Sequence, residues 1–242
     1  MRDYELEIKC RVDFIKKLMA ESGVGGIVFG NSGGKDAALV GILCKLACDN
    51  TLGLVLPCGS NQNYGSDMDD AIAVANQFGF ETRLVDLKGS FEAMKHSLAD
   101  ATELTDAAVS NIAPRLRMAV LYAVAASEGR LVAGTSNRSE RYMGYFTKWG
   151  DGACDFNPIA DLTVSEIYEF LEYLGAPRSI IEKAPSAGLF DGQTDEIEMG
   201  VSYKSIDGLL LSGTCADADM EIIERFHKGS EHKRKMPVMY GD

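Results

Sequence analysis

Short apolar runs alternate with amphipathic stretches through the first half of this chain. Runs at 26–30, 52–57, 82–87 and 130–134, rich in Ile, Val and Leu, predict strands. Between them, apolar residues recurring at helical spacing predict helices over about 3–21, 36–48, 66–79, 90–99 and 107–128. Ser66 followed by Asp69 predicts a capping box at the start of the helix at 66. Strands alternating with helices of this length require right-handed crossovers. The expected fold is therefore α/β, a Rossmann-like doubly wound parallel sheet flanked by helices in a single domain. Ligands of such sheets sit beyond the carboxyl ends of the strands.

After Gly134 the pattern changes. Residues 135–162 carry many Gly, Asp, Asn and aromatic residues with no regular period, and a segment that long without periodicity points to function. A helix is predicted over 163–174, with Thr163 as its N-cap and Glu166 completing a capping box. Residues 185–198 form a second irregular, glycine-containing segment, read as a lid, and helices over 203–211 and 216–228 close the chain. No repeat, low-complexity tract or linker divides the sequence, so 1–242 is read as one domain.

Composition narrows the function classes. With 242 residues the chain can bury a substantial core, and its 46% hydrophobic content includes no run long enough to span a bilayer. The N-terminus is charged and amphipathic, unlike a secretory signal, so a soluble, cytoplasmic protein without a membrane partner is expected. A net charge of −12 argues against nucleic acid as a partner, and it makes the basic run His232-Lys233-Arg234-Lys235 conspicuous. The cysteines at 10, 44, 48, 58, 154 and 215 and the histidines at 96, 227 and 232 show no metal-ligand spacing, and the thiols are read as structural.

The chemistry concentrates in Gly30-Asn31-Ser32-Gly33-Gly34-Lys35-Asp36-Ala37, where a buried strand feeds a glycine-rich turn and then a helix. Free amide N–H groups and the positive helix end make such a turn an anion site, and glycines let phosphate oxygens approach the backbone. The Walker loop is excluded, since Phe29 stands where its first glycine belongs and Asp36 where it needs a hydroxyl. The dinucleotide fingerprint is also absent, because Val28 occupies its third glycine position. The remaining Ser-Gly-Gly-x-Asp resembles the loop of the ATP pyrophosphatases, which split ATP between its α and β phosphates.

Four further segments, at 111–118 (NIAPRLRM), 134–159, 185–207 and 231–237 (EHKRKMP), resemble the NAD synthetases in that family's order. The resemblance implies an ammonia-dependent ligase that amidates deamido-NAD. The nicotinate carboxylate attacks the α-phosphorus of ATP and expels pyrophosphate. Ammonia then attacks the acyl adenylate, giving NAD and AMP. A glutaminase domain, carried by glutamine-using members, has no room in 242 residues. Carried over position by position, the resemblance makes Gly30 to Ala37, Thr135 and Ser186 contacts of ATP, the co-substrate. It makes Asp36 and Glu140 ligands of Mg²⁺. Arg115, Lys148, Asp155, His232 and Lys233 become deamido-NAD contacts. Asp151, in the Gly150-Asp151-Gly152 turn, is the candidate for holding ammonium or accepting its proton. Arg117, two positions from Arg115, faces elsewhere on its helix. Family members are homodimers, and the helix at 107–128 is expected near the partner.

The pattern breaks twice. Ala37 replaces a common serine, and Val164 replaces a lysine that in the family approaches the ATP phosphates; Lys35 is the expected compensation. Two other readings stay open. One is an ATP pyrophosphatase amidating a different acceptor, in the manner of GMP synthetase. The other is a nucleotide-binding homologue with weakened turnover.

Overall fold

A computed structural model gives the structure of residues 2–59, 61–183, 185 and 194–241. Its centre is a parallel sheet of β1 (Gly26–Gly30), β2 (Thr51–Val55), β3 (Glu81–Leu84) and β4 (Arg130–Ala133), in the order β3-β2-β1-β4. Ile27 of β1 pairs with Thr51 on one side and Leu131 on the other, so the strand order reverses around β1. That reversal opens a crevice at the carboxyl ends of β1 and β4, where open α/β sheets bind ligands.

Side chains alternate across the sheet and divide the core into two layers. Ile27 and Phe29 face one layer, under α2 (Lys35–Ala47), with α1 (Tyr4–Ser22) packed outside it. Val28, Leu52, Leu54 and Val132 face the other layer. Helices from two further crossovers follow. After β2 come α3 (Asn61–Tyr64) and α4 (Ser66–Phe78); after β3 come α5 (Lys88–Leu98), α6 (Asp106–Ser110) and α7 (Ile112–Glu128). α7 lies against β1 and β4 in the second layer, and α5 packs on α7.

Beyond β4 the chain builds a smaller helical layer over the carboxyl ends: α8 (Arg138–Met143), α9 (Val164–Tyr173), α10 (Arg178–Ile181), α11 (Asp195–Met199), α12 (Tyr203–Ser212), α13 (Asp217–Gly229) and α14 (Glu231–Arg234). Met143, Val164, Met199, Tyr203, Ile206 and Ile223 form its own apolar cluster. α1 is strapped to this side by Arg11, which is buried and reaches Asp161 at 2.7 Å and Glu7 at 2.7 Å.

The sheet and long helices match the sequence expectation, with three corrections. The helix expected over 107–128 is broken at Asn111 into α6 and α7. Pro114 explains the break, because its ring and missing N–H do not permit a continuous helix through Ser110. The capping box expected at Ser66 and Asp69 does not form: Gly65 is the N-cap residue of α4 and no side chain caps it. The segment 135–162, expected to be irregular throughout, contains α8, whose N-cap Asn137 makes a complete capping box with Glu140. The box expected at Thr163 and Glu166 is present. Of the lid expected at 185–198, residues 186–193 lie outside the described residues.

Candidate active site

The loop after β1 is held open by backbone geometry. Asn31 extends the strand pairing by donating its N–H to Leu54 O at 2.8 Å, and its side-chain amide donates to Ala71 O at 3.0 Å. Gly33 then turns with φ +72°, and a Cβ there would lie 2.0 Å from the Asp67 carbonyl oxygen of α4. Only glycine fits both constraints. Gly34 is the N-cap of α2, and no side chain caps the first-turn amides. They face the crevice with the positive end of the helix dipole, which suits phosphate. Lys183 braces the turn, its Nζ lying 2.8 Å from Asp67, 2.7 Å from Asp70 and 3.4 Å from Gly33 O.

Two carboxylates meet beside this loop. Asp36 comes from the first turn of α2 and Glu140 from the first turn of α8. Asn137 joins the two helices, since its Nδ2 donates to Asp36 Oδ1 at 3.0 Å while its Oδ1 accepts the Glu140 N–H at 2.9 Å. Lys35 Nζ lies 2.8 Å from Asp36 and 3.9 Å from Glu140, and 5.6 Å from the centre of the Tyr203 ring. Burial, reinforced by Asp36, pushes the Glu140 carboxyl well above the usual range, with Lys35 opposing it. Burial alone would lower the Lys35 ammonium, but Asp36 and Glu140 outweigh it and hold it above its ordinary value. One ammonium against two carboxylates leaves room for further positive charge. Hard oxygen donors of this kind fit magnesium, which takes one or two carboxylates together with substrate phosphates. Among the described residues no group of three or more His, Cys, Asp and Glu makes an all-protein cage, so phosphate oxygens would have to complete the set.

A third group of residues lies across the crevice. Asp151 is tied into its turn by accepting the Thr147 N–H at 3.0 Å. Burial raises its carboxyl, against the pull of the Thr147 amide, Arg117 and Lys233. The preceding Trp149 has φ +61°, a left-handed conformation that bulky residues rarely adopt, so the turn presenting Asp151 is strained. Arg117 extends from α7 to Leu56 O at 2.9 Å and Asn63 Oδ1 at 3.0 Å. Burial lowers its guanidinium, with the Asp151 and Asp67 charges among those opposing the shift. Lys233 donates to Gly144 O and Phe146 O, each at 2.8 Å.

One cavity of about 960 Å³ joins these groups. It is lined by Gly30, Asn31, Ser32, Gly34, Lys35, Asp36, Ala37, Thr135, Glu140, Asp151 and Lys233, with Arg117 and Lys183. Gly33 lies behind its wall, against α4. Besides Gly33, four sequence-derived positions among the described residues do not line it. Arg115 is exposed and donates to Lys148 O at 3.4 Å, and Lys148 Nζ donates to His232 O at 2.6 Å, so these three form a string along the outside. Asp155 sits beside β4, where its Oδ2 accepts the Val132 N–H at 2.7 Å. Ser186 lies outside the described residues.

The two departures from the expected pattern have apolar settings. Ala37 is 2% exposed and joins the main core, and Val164 packs in the cluster over the carboxyl ends. Lys35, expected to compensate at the phosphates, is instead engaged by the acids. Sequence reasoning missed Asn137, Arg117 and Lys183. Asn137 was legible as an N-cap three residues before Glu140. Arg117 was legible once its helix was known to lie on the sheet, because the side opposite exposed Arg115 must point inward. Lys183 carried no local signal.

The chain matches the NAD synthase family over residues 7–237. It is 43% identical over 238 residues to the NH(3)-dependent NAD(+) synthetase of Carboxydothermus hydrogenoformans, covering 97% of each chain. Among solved structures, it superposes with a TM-score of 0.93 on NMN synthetase from Francisella tularensis, at 37% identity and covering 99% of each chain. It superposes with a TM-score of 0.81 on the NH3-dependent NAD synthetase of Campylobacter jejuni, at 31% identity, covering 98% of this chain and 99% of that one.

Proposed function

The chain belongs to the NAD synthase family, and on that premise we propose that it is an ammonia-dependent NAD synthetase. It is a ligase that forms a C–N bond at the nicotinate carboxylate of deamido-NAD, with ATP as co-substrate. The observation that carries this reading is one cavity lined by an ATP-pyrophosphatase loop, the Asp36–Glu140 pair, Asp151 and Lys233.

In the proposed reaction a nicotinate oxygen forms a bond to the α-phosphorus as the bond to the β-phosphate oxygen breaks, and pyrophosphate leaves. Ammonia then bonds to the acyl carbon, AMP leaves with the electron pair, and the nitrogen loses a proton. The loop amides and the α2 N-terminus hold phosphate, and Lys183 keeps the turn in shape. Lys233 and Arg117 place positive charge on the far side of the cavity, where an anionic acceptor enters. Asp151 receives the proton from nitrogen, a role that suits a buried carboxylate with raised proton affinity. Asp36 and Glu140 would hold Mg²⁺, which supplies charge neutralisation when two anions are brought together. Thr135 completes the ATP side, and Arg115, Lys148, Asp155 and His232 the deamido-NAD side; the ATP role for Ser186 rests on the sequence resemblance alone.

We also infer a homodimer in which α7 faces the second copy. Of its seventeen residues only Ala113, Pro114 and Ala125 are buried, and Arg115 and Ala119 stay exposed along it. A partner at α7 would bring the outer string of Arg115, Lys148 and His232 into the site. Residues 1–242 are read as one synthetase domain acting on free ammonia. Six free cysteines accord with a reducing cytoplasm, and no helix among the described residues is long and apolar enough to cross a membrane.

The 0.93 superposition on an NMN synthetase favours a second reading of the acceptor, the mononucleotide with the same nicotinate carboxylate. One experiment tests both. Purified protein receives ATP, Mg²⁺ and ammonium with deamido-NAD, with nicotinate mononucleotide, and with the two in competition; NAD, NMN and AMP are then measured. NAD as the dominant product supports the first reading and NMN the second. AMP release with neither amide would remove both.

A further inference from the structure

Lys35 is in an unexpected place for a cation. It is 6% exposed, and it is the first residue of α2, next to the positive end of that helix. Burial and the helix dipole both disfavour an ammonium there. The loop it belongs to is an anion site, yet its Nζ is drawn aside to Asp36 at 2.8 Å and Glu140 at 3.9 Å, with the Tyr203 ring 5.6 Å away. Asn137 holds Asp36 from the other side. The two carboxylates that would take the metal are therefore already partnered by a side chain of the phosphate loop itself.

We propose that Lys35 is a tethered counter-ion: it holds the Asp36–Glu140 pair together in the free protein and yields these carboxylates to the metal only when nucleotide arrives. The inference rests on the reading of Asp36 and Glu140 as metal ligands. A metal ion on these carboxylates would lie close to the buried Lys35 ammonium, 2.8 Å from Asp36 and 3.9 Å from Glu140, and the repulsion between the two cations sets metal binding against the Lys35 contact. In the free protein the ammonium suppresses metal binding. Phosphates then supply both the missing metal ligands and a new partner for the displaced ammonium, within the same loop. Metal and nucleotide thus bind cooperatively, because each removes an obstacle to the other.

Mn²⁺ provides the probe, because its bound and free forms are distinguished by electron paramagnetic resonance. Titrations of the unmodified protein and of Lys35→Gln are compared with and without the α,β-methylene analogue of ATP. Without nucleotide, Lys35→Gln binds Mn²⁺ about tenfold or more tighter, since no buried ion pair has to be broken. With the analogue the gap closes. Equal affinity of the two proteins without nucleotide overturns the inference while leaving the metal site in place. Absence of Mn²⁺ binding even with the analogue overturns the metal assignment and this inference with it. If Lys35→Gln does not fold, the ammonium of the unmodified protein is followed by NMR. Its resonance must shift when Mg²⁺ and the analogue are added together, and an unmoved resonance overturns the proposal.

Discussion

Asn137 and Asp36 are 101 positions apart in the sequence, and a single hydrogen bond of 3.0 Å fixes the start of α8 against the start of α2. The same Asn137 side chain caps α8 by accepting the Glu140 N–H, so one residue sets the positions of both acids. Asn137→Ser keeps a capping hydroxyl but is too short to reach Asp36. It should retain most of the thermal stability and still lower kcat/KM for ATP about tenfold or more, the equivalent of one hydrogen bond to a charged group. Asn137→Ala should lose about 1 kcal/mol more, the usual worth of an N-cap. Melting curves and steady-state kinetics on the two variants separate capping from positioning.

Gly33→Ala should damage both the loop and the fold. The new methyl would meet the Asp67 carbonyl at 2.0 Å with φ held at +72°. Either the turn or α4 must move, at an expected cost of about 2 kcal/mol or more. The expected result is a lower Tm together with loss of the stabilisation that ATP gives the unmodified protein. An unchanged response to ATP would mean that the turn is not where phosphate binds.

Arg117 and Arg115 should behave differently despite their proximity in sequence. Arg117→Lys loses the fork that spans Leu56 O and Asn63 Oδ1, and a single ammonium cannot serve both acceptors at those positions. Turnover should fall about a hundredfold while KM for the acceptor changes less, because the residue lines the cavity beside the Asp151 turn. Arg115→Ala, on the exposed side, should leave Tm unchanged and raise KM for the acceptor. A KM effect larger at Arg117 than at Arg115 would mean that the acceptor is anchored inside the cavity and not by the outer string.

Ala37→Ser tests the break in the loop pattern. Ala37 lies on the cavity wall, so a hydroxyl there would be within the ATP site without opening the core. Tighter ATP binding or faster adenylation, by no more than about a hundredfold, is expected from one hydrogen bond to a charged phosphate. Slower turnover would show that the apolar wall is required as it stands.

Acid should loosen the strap between α1 and the smaller helical layer. Burial alone would raise the Asp161 carboxyl, but the Arg11 guanidinium, helped by Arg2, more than reverses this and holds it below its ordinary 3.8. A carboxyl depressed in the folded state contributes stability above its unfolded value and loses it as pH falls through the folded one. Asp161→Asn should therefore lower Tm at pH 7 by about 2–4 °C, and the difference should fade as the pH drops below 3.8 and through the lowered folded-state value. A constant difference across that range would mean that Asp161 acts through packing.

The division between what was legible in the sequence and what was not follows from the range of the forces involved. Strand and helix periods, the Gly33–Gly34 turn, the Thr163 cap and the order of family segments are local signals, and they placed an anion site at the carboxyl end of β1 within a parallel sheet. Even the break at Asn111 was written in Pro114, although periodicity alone passed over it. What only the tertiary structure decided is which charges meet. Lys35 looked like a free cation for phosphate, and it is held by Asp36 and Glu140, the latter from a helix 105 positions away. Arg117 looked incidental and lines the cavity, while Arg115, Lys148 and His232 lie outside it. Partnerships of this kind depend on where separate elements pack, and no local pattern records them. In a low-dielectric crevice those partnerships set the proton affinity and reach of every charged group, so the chemistry of the site is a property of the fold.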